Sequence, residues 1–329
     1  MKTSYIKRIA AISAILSLML SPVSWGAVSE IHFLIPGGAG GGWDGTARGV
    51  GKVLVDTKII KEASYENLSG GGGGVAIAKL IKTKDTARTK KTLMVNSTPL
   101  IQRSLSKVFP QSFRDLVPVA GVIADYGALI VSADSPYNDW QDVVAAFKKD
   151  PKKVKVAGGS TAGSLDHIVA ALAFQKSGGN AKDVIYISYD AGGKAMAGLL
   201  SGETAILSTG LGEALEISRA GTIRIIAISA PDRIADAPDL KTLKEQGSDV
   251  VFANWRGFFA APGTSTSTVR QYNKVLRKMY RTDAWEATRQ RNGWVNNYIA
   301  GPKEFYKFLE EQEKDIGTVL TELGFLAKS

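Results

Sequence analysis

From residue 31 onward, short apolar runs alternate with stretches whose apolar residues recur every three or four positions. Residues 31–35 form a mainly apolar run that predicts a strand. Over residues 46–55, Ala47, Val50 and Leu54 share one face, which predicts a helix. The same reading predicts further strands over 92–95, 117–122, 129–132, 154–157, 184–188, 205–207, 223–228 and 257–261. It predicts helices over 75–81, 140–149, 164–175, 194–200, 211–220, 269–279, 284–291 and 302–323. Strands that alternate with helices build α/β units, so the expected fold is mixed, mostly parallel sheets with helices on both faces. No internal repeat and no polar linker interrupts the chain, apart from the glycine run at 70–74. That continuity predicts two lobes joined by short crossings near 124–128 and 232–238. Lobe 1 then comprises residues 27–126 plus 237–329, and lobe 2 residues 127–236, with a ligand cleft between them.

The N-terminus departs from this pattern. Lys2, Lys7 and Arg8 precede an uncharged apolar run at 9–20, Ser21-Pro22 breaks it, and small Ser24 and Gly26 follow. This is the layout of a signal peptide over residues 1–26, cleaved before Ala27. The run is too short for a membrane anchor, which needs roughly 20 apolar residues. Cleavage implies a periplasmic location. The chain has no cysteine, so disulfides, thiolate catalysis, thiolate metal sites and a lipid-modified N-terminal cysteine are all excluded. The formal charge is +10; without the three signal cations, 38 cations face 31 acids, or +7. A basic balance favours anionic ligands. The lysine pairs Lys90-Lys91, Lys148-Lys149 and Lys152-Lys153 lie beside turn residues rather than forming a stripe, so they read as solvated faces and not as a nucleic-acid surface.

Glycine-rich loops follow several predicted strands. The first is Pro36-Gly37-Gly38-Ala39-Gly40-Gly41-Gly42-Trp43-Asp44. Glycines let successive N–H groups converge on one point, and the following helix adds partial positive charge, so the loop suits an anion. Asp44 is the expected N-cap. Gly40, Gly42 and Gly45 satisfy G-x-G-x-x-G, but the only acids near the end of a following strand are Glu62 and Glu66, which makes a dinucleotide site a poor reading. The second loop, residues 157–164, combines glycines with Ser160 and Thr161. A nucleophile elbow needs serine where Thr161 stands, and no histidine follows His167, so a hydrolase triad cannot be assembled. His167 itself, one turn into a helix beside Asp166, is either structural or a ligand contact. The third loop is Tyr189-Asp190-Ala191-Gly192-Gly193-Lys194, and Thr209-Gly210-Leu211-Gly212 repeats the arrangement. Such loops at strand ends predict a cleft.

Gly51-Lys52-Val53 lacks the residues of a phosphate-binding P-loop, and two distant histidines leave no metal first shell. No cofactor is expected. In Asn254-Trp255-Arg256-Gly257, Arg256 is either a two-pronged partner for a ligand carboxylate or half of a structural ion pair.

The run from Ile35 to Arg48, with its Gly-Gly-Gly-Trp-Asp core, resembles the first-loop signature of the extracytoplasmic receptors of tripartite tricarboxylate transporters, the Bug receptor family. Residues 67–76, 158–167, 189–193 and 255–264 resemble that family's later elements in the same order, so the likeness covers essentially the whole chain after the signal. It implies a two-lobed type II periplasmic binding protein, a Venus flytrap that closes on an organic acid. Members bind citrate, other tricarboxylates, dicarboxylates, aromatic carboxylates and a few neutral ligands. The first loop and the 158–163 loop grip a carboxylate there, often partly through ordered water. The Gly-Gly-Gly-Trp-Asp and Asn-Trp-Arg-Gly forms resemble the tricarboxylate branch, while Ser160-Thr161-Ala162 departs from the usual third element.

The resulting expectation is a monomeric receptor that is not an enzyme. It captures a tricarboxylate, citrate above all, and delivers it to the large and small integral membrane subunits of a transporter. Carboxylates are expected to dock on Ala39, Gly40, Gly41 and Gly42 and on Ser160, Thr161, Ala162 and Gly163. Ser97, Thr98, Thr209 and Arg256 are candidates for the distal end, with Asp44, His167 and Asp190 in the surrounding motifs. Trp43 either walls the cleft or staples the helix. The alternatives are a receptor for a dicarboxylate or aromatic carboxylate, and a ligand-sensing partner of a membrane sensor kinase.

Overall fold

The computed structural model describes residues 28–326; the expected signal segment lies outside the described residues. The first βα unit follows the apolar pattern closely. Strand β1 (Glu30–Ile35) is buried from Ile31 to Ile35, and helix α1 (Gly42–Asp56) turns Ala47, Val50 and Leu54 onto it. The helix starts four residues before the expected position. Its N-cap is Gly41, so Asp44 lies inside the first turn rather than at the cap. Next come β2 (Glu62–Asn67), α2 (Gly74–Lys82), β3 (Thr92–Ser97), α3 (Thr98–Leu105) and the 16-residue strand β4 (Val117–Ser132). The second lobe adds α4 (Trp140–Lys149), β5 (Val156–Gly158), α5 (Leu165–Lys176), β6 (Tyr186–Ser188), α6 (Gly192–Leu200), β7 (Ile206–Gly210), α7 (Leu211–Arg219) and β8 (Ile223–Ile228). The chain ends with β9 (Ala253–Ala260), α8 (Thr266–Met279), α9 (Asp283–Arg291), β10 (Val295–Ala300) and α10 (Pro302–Glu322).

The sheets are mixed in an ordered way. Pairing is parallel within the βα units, β2 and β3 flanking β1, and β6 and β7 flanking β5. It is antiparallel around the long strands, where β4 pairs with β7, β8, β9 and β10, and β3 pairs with β9. Strand β4 merges two strands expected separately over 117–122 and 129–132. Between Tyr126 and Gly127 its partner changes from β9 to β7, so one continuous strand makes the first crossing between lobes. Register shifts in the β4–β9 and β4–β8 ladders accompany that length, consistent with the extra twist that bulges introduce.

The return crossing falls later than the expected 232–238. Residues up to 252 stay on the second lobe: the Trp140 N–H donates to Gln246 Oε1 at 2.9 Å, and the Ser248 hydroxyl donates to the Ala173 carbonyl at 3.0 Å. Leu243 and Val250 are buried with Trp140, Phe147 and Phe174 in a core cluster that runs on into the first lobe at Met94, Phe259 and Phe305. The chain regains the first sheet at Ala253, opposite Tyr126. A third crossing comes from the segment after α10, where the Phe325 ring lies 4.9 Å from that of His167 in α5. The first lobe has its own core, built on Ile31, Phe33, Val50, Leu54, Phe258, Trp285 and Trp294.

Candidate functional site

A cleft of about 440 Å³ opens between the lobes, within the size range of small-molecule sites. Six strand-to-helix turns border it: those leading into α1, α2, α3, α5, α6 and α7.

Loop 36–41 is held shaped from below. Asp44, buried in the first turn of α1, accepts from the Gly40 N–H at 3.0 Å, from Arg48 Nε at 2.8 Å and from Asn67 Nδ2 at 3.0 Å. Asn67 also donates to the Gly37 carbonyl at 3.0 Å, tying the loop to the end of β2. Gly40 takes the left-handed conformation, φ +79°, that the turn requires. Gly40 and Asp44 therefore serve the loop's shape and, with exposed Ala39, do not line the cavity, whereas Gly37, Gly38, Gly41, Gly42 and Trp43 do. The N–H groups of Gly42 and Trp43 have no acceptor among the described residues. They point out of a helix start, where partial positive charge accumulates. Trp43 forms a wall, its indole N–H donating to Ser97 Oγ at 2.8 Å.

Loop 159–164 on the other lobe repeats the device. Asp166, 9% exposed, accepts from the Ser160 hydroxyl at 2.7 Å. Burial pushes its carboxyl up to about 6 against the opposing pull of Ser160 and Arg103. The Ser160 carbonyl accepts from Tyr186 Oη at 2.7 Å and from Ser188 Oγ at 2.9 Å. Ser160 and Thr161 line the cavity; Ala162 and Gly163 do not. His167 is placed structurally. Its Nδ1 accepts from the Gly163 N–H at 3.0 Å, its ring stacks on Tyr186 at 4.6 Å, and burial lowers it to about 4, so it is neutral. Asp190 stands on the rim, its side chain largely in solvent. Loops 159–164 and 189–192 meet backbone to backbone: a Cβ on Gly159 would lie 2.4 Å from the Gly192 nitrogen, so only glycine fits.

Arg256, in β9, lines the cavity but is already engaged. It is 2% exposed, and Nη2 donates to Asp125 Oδ2 at 2.7 Å while Nη1 donates to Thr46 Oγ1 at 3.0 Å. Asp125, wholly buried, also accepts from the Gly212 N–H at 3.1 Å. Thr98 and Thr209 are buried behind the wall.

Three charged side chains that line the cavity were not anticipated as site residues: Arg103, Asp166 and Glu213. Arg103 is 6% exposed, yet no carboxylate among the described residues touches it. Nη1 donates to the Gly72 carbonyl, its guanidinium carbon lies 5.6 Å over the Trp43 ring, and Nε has no partner. Burial holds its guanidinium below the ordinary arginine value. The signal for it was Pro99, a residue favoured in a helix's first turn, which marks the start of α3. Glu213 is in the first turn of α7, with Oε1 3.9 Å from Arg256 Nη2, beyond a hydrogen bond. Burial pushes it up to about 7; Arg256 opposes this, and Asp166 and Asp125 add to it.

The arrangement is that of a solute-binding protein: two sheets joined by crossing strands, with helix N-termini facing one cleft from both lobes. The model of the tripartite tricarboxylate transporter family receptor matches residues 46–325. The chain belongs to that family, and it is therefore a receptor rather than an enzyme. It is 27% identical to BugT of Bordetella pertussis over 298 residues, covering 89% of each chain. It is 25% identical to a protein encoded in the tcbD-tcbE intergenic region of Pseudomonas sp. strain P51, covering 79% of this chain and 76% of that one. Its fold matches MatC from Rhodopseudomonas palustris with bound malate (TM-score 0.77, 19% identity, covering 88% of this chain and 98% of that one). It also matches the periplasmic binding protein BugD (TM-score 0.79, 19% identity, covering 90% and 98%). No described helix is long and apolar enough to cross a membrane.

Proposed function

We propose that this chain is exported, loses residues 1–26, and works in the periplasm as a monomeric receptor that captures a small organic acid between its lobes. It then presents the closed form to the large and small membrane subunits of its transporter. Arg103 carries this reading: it is a buried cation on the cavity wall with no carboxylate of its own, and Trp43, against which it stacks, begins the helix whose free N–H groups face the same space. A ligand carboxylate that reaches both gains charge-assisted hydrogen bonds in a desolvated site. Citrate or another tricarboxylate is the finer expectation from the motif forms. The charges around the cleft favour an acid with fewer carboxylates. Arg256 is neutralised by Asp125, and Asp166 and Glu213 add two further acidic groups to the wall.

The test is a thermal-shift screen of purified protein against mono-, di- and tricarboxylates. A captured acid at 100 times its Kd should raise stability by about 2.7 kcal/mol. No shift with any organic acid refutes carboxylate capture.

A further inference from the structure

Three acidic side chains at or beneath the cleft face two buried arginines, and only Asp125 holds one of them in a direct hydrogen bond. Asp125 and Arg256 form a direct pair. Asp166 is held instead by the Ser160 hydroxyl at 2.7 Å, with Arg103 acting on it only at longer range. Glu213, part-buried, shares its cation: Arg256 lies 3.9 Å away and is already held by Asp125 at 2.7 Å. Its carboxylate lies where the two lobes meet. A Cβ on Gly42 of the first lobe would lie 2.9 Å from Oε1, and one on Gly192 of the second would lie 2.1 Å from Oε2. The absence of side chains on both glycines leaves the carboxylate room at the floor of the cleft. An under-partnered carboxylate in such a place is costly unless it gains a proton or a cation.

We infer that Glu213 is a specificity residue for a cationic nitrogen, so that the solute is a carboxylate that also carries an ammonium group. This rests on the carboxylate-capture reading and sharpens it. The acid end meets Arg103 and the first turn of α1, and the ammonium end meets Glu213, which supplies the countercharge that Arg256 cannot. A dicarboxylate of the same length sets its second anion against Glu213, and binds only with a proton taken up there. The charged and titratable groups facing Glu213 are Arg256 on β9, Asp125 on β4 and Asp166 on α5. The solvent-exposed Asp190 on the rim adds no cation.

The experiment compares length-matched probes by calorimetry on the full purified protein: 4-aminobutyrate against succinate, and 6-aminohexanoate against adipate, with citrate as a third class. At pH 8 the amino acid of at least one pair should bind ten-fold or more tightly than its dicarboxylate. Its affinity should rise from pH 6 to pH 8 as Glu213 ionises, while any dicarboxylate affinity falls. Glu213→Gln should cost the amino probe ten-fold or more and leave or improve the dicarboxylate. Tighter binding of succinate, adipate or citrate by the unaltered protein at pH 8 overturns the inference and leaves carboxylate capture standing. Binding by none of the five probes overturns both. The wild-type preference and its pH trend decide the matter even where the variant does not fold.

Discussion

Arg103 and Arg256 stand on one cavity and are buried to nearly the same degree, 6% and 2% exposed, but their surroundings differ in kind. Arg256 belongs to a ladder strand and is fastened by Asp125 and Thr46 from two other elements. Arg103 belongs to a short helix, touches a carbonyl and an indole, and keeps an unpartnered Nε. Equal burial thus hides opposite uses: a compensated cation holds the crossing strands together, and an uncompensated one is available to a ligand. The comparison breaks most visibly at Arg256. Arg256→Ala leaves the Asp125 carboxylate buried and unpaired, and should cost about 3–5 kcal/mol in chemical denaturation. The pair Asp125→Asn with Arg256→Gln should lose clearly less than the sum of the single changes, since the stranded charge is removed along with its partner. A single Arg256→Ala variant as stable as the parent would show that the pair is not structural.

At Arg103 the expected effect is smaller and appears in binding instead. Arg103→Gln keeps a donor for the Gly72 carbonyl and removes a buried cation that no described carboxylate pairs with, so stability without ligand should stay level or rise slightly. Affinity for the captured acid should fall about 10- to 100-fold, the usual worth of a hydrogen bond to a charged group. Unchanged affinity would move the carboxylate anchor away from α3.

The same contrast explains what the sequence could and could not disclose. Elements with a strong apolar rhythm, such as β1, α4 and β8, stand where expected, because one buried face fixes both period and position. Strands β2 and β10 escaped notice because their residues are only partly buried and largely polar, so no apolar run marks them. Helix α3 escaped because it is short and has hydrophilic Gln102 and Arg103 on a buried face. The glycine loops were visible as motifs, but their inner wiring was not. Asp44 was expected at the cap and instead fastens Gly40 and Asn67. The ion pair beneath the cleft joins residues 131 positions apart, which no local pattern reports.

His167 offers the finest comparison, between a loop braced by a histidine and one braced by an aspartate. Loop 159–164 rests partly on His167 Nδ1, which accepts from the Gly163 N–H only while neutral; loop 36–41 rests on Asp44. Burial lowers His167 from 6.5 to about 4, so the folded protein binds fewer protons here than the unfolded chain between those values. Its stabilising contribution is therefore complete above about pH 6.5 and is lost as pH falls towards 4. Asp166 runs the other way. Its carboxyl, raised to about 6, holds a proton more readily when folded, so its ionisation costs stability as pH rises from about 3.8 to 6. The two slopes partly cancel in the whole protein, and only a variant separates them. His167→Gln supplies a side-chain carbonyl that accepts from the same N–H without titrating. Its denaturation midpoint, measured from pH 7 to pH 4.5, should fall less than that of the parent. At pH 7 it should lie within about 1 kcal/mol of the parent, the net worth of one hydrogen bond. Parallel pH profiles for the two proteins would mean that His167 is not held neutral by its burial.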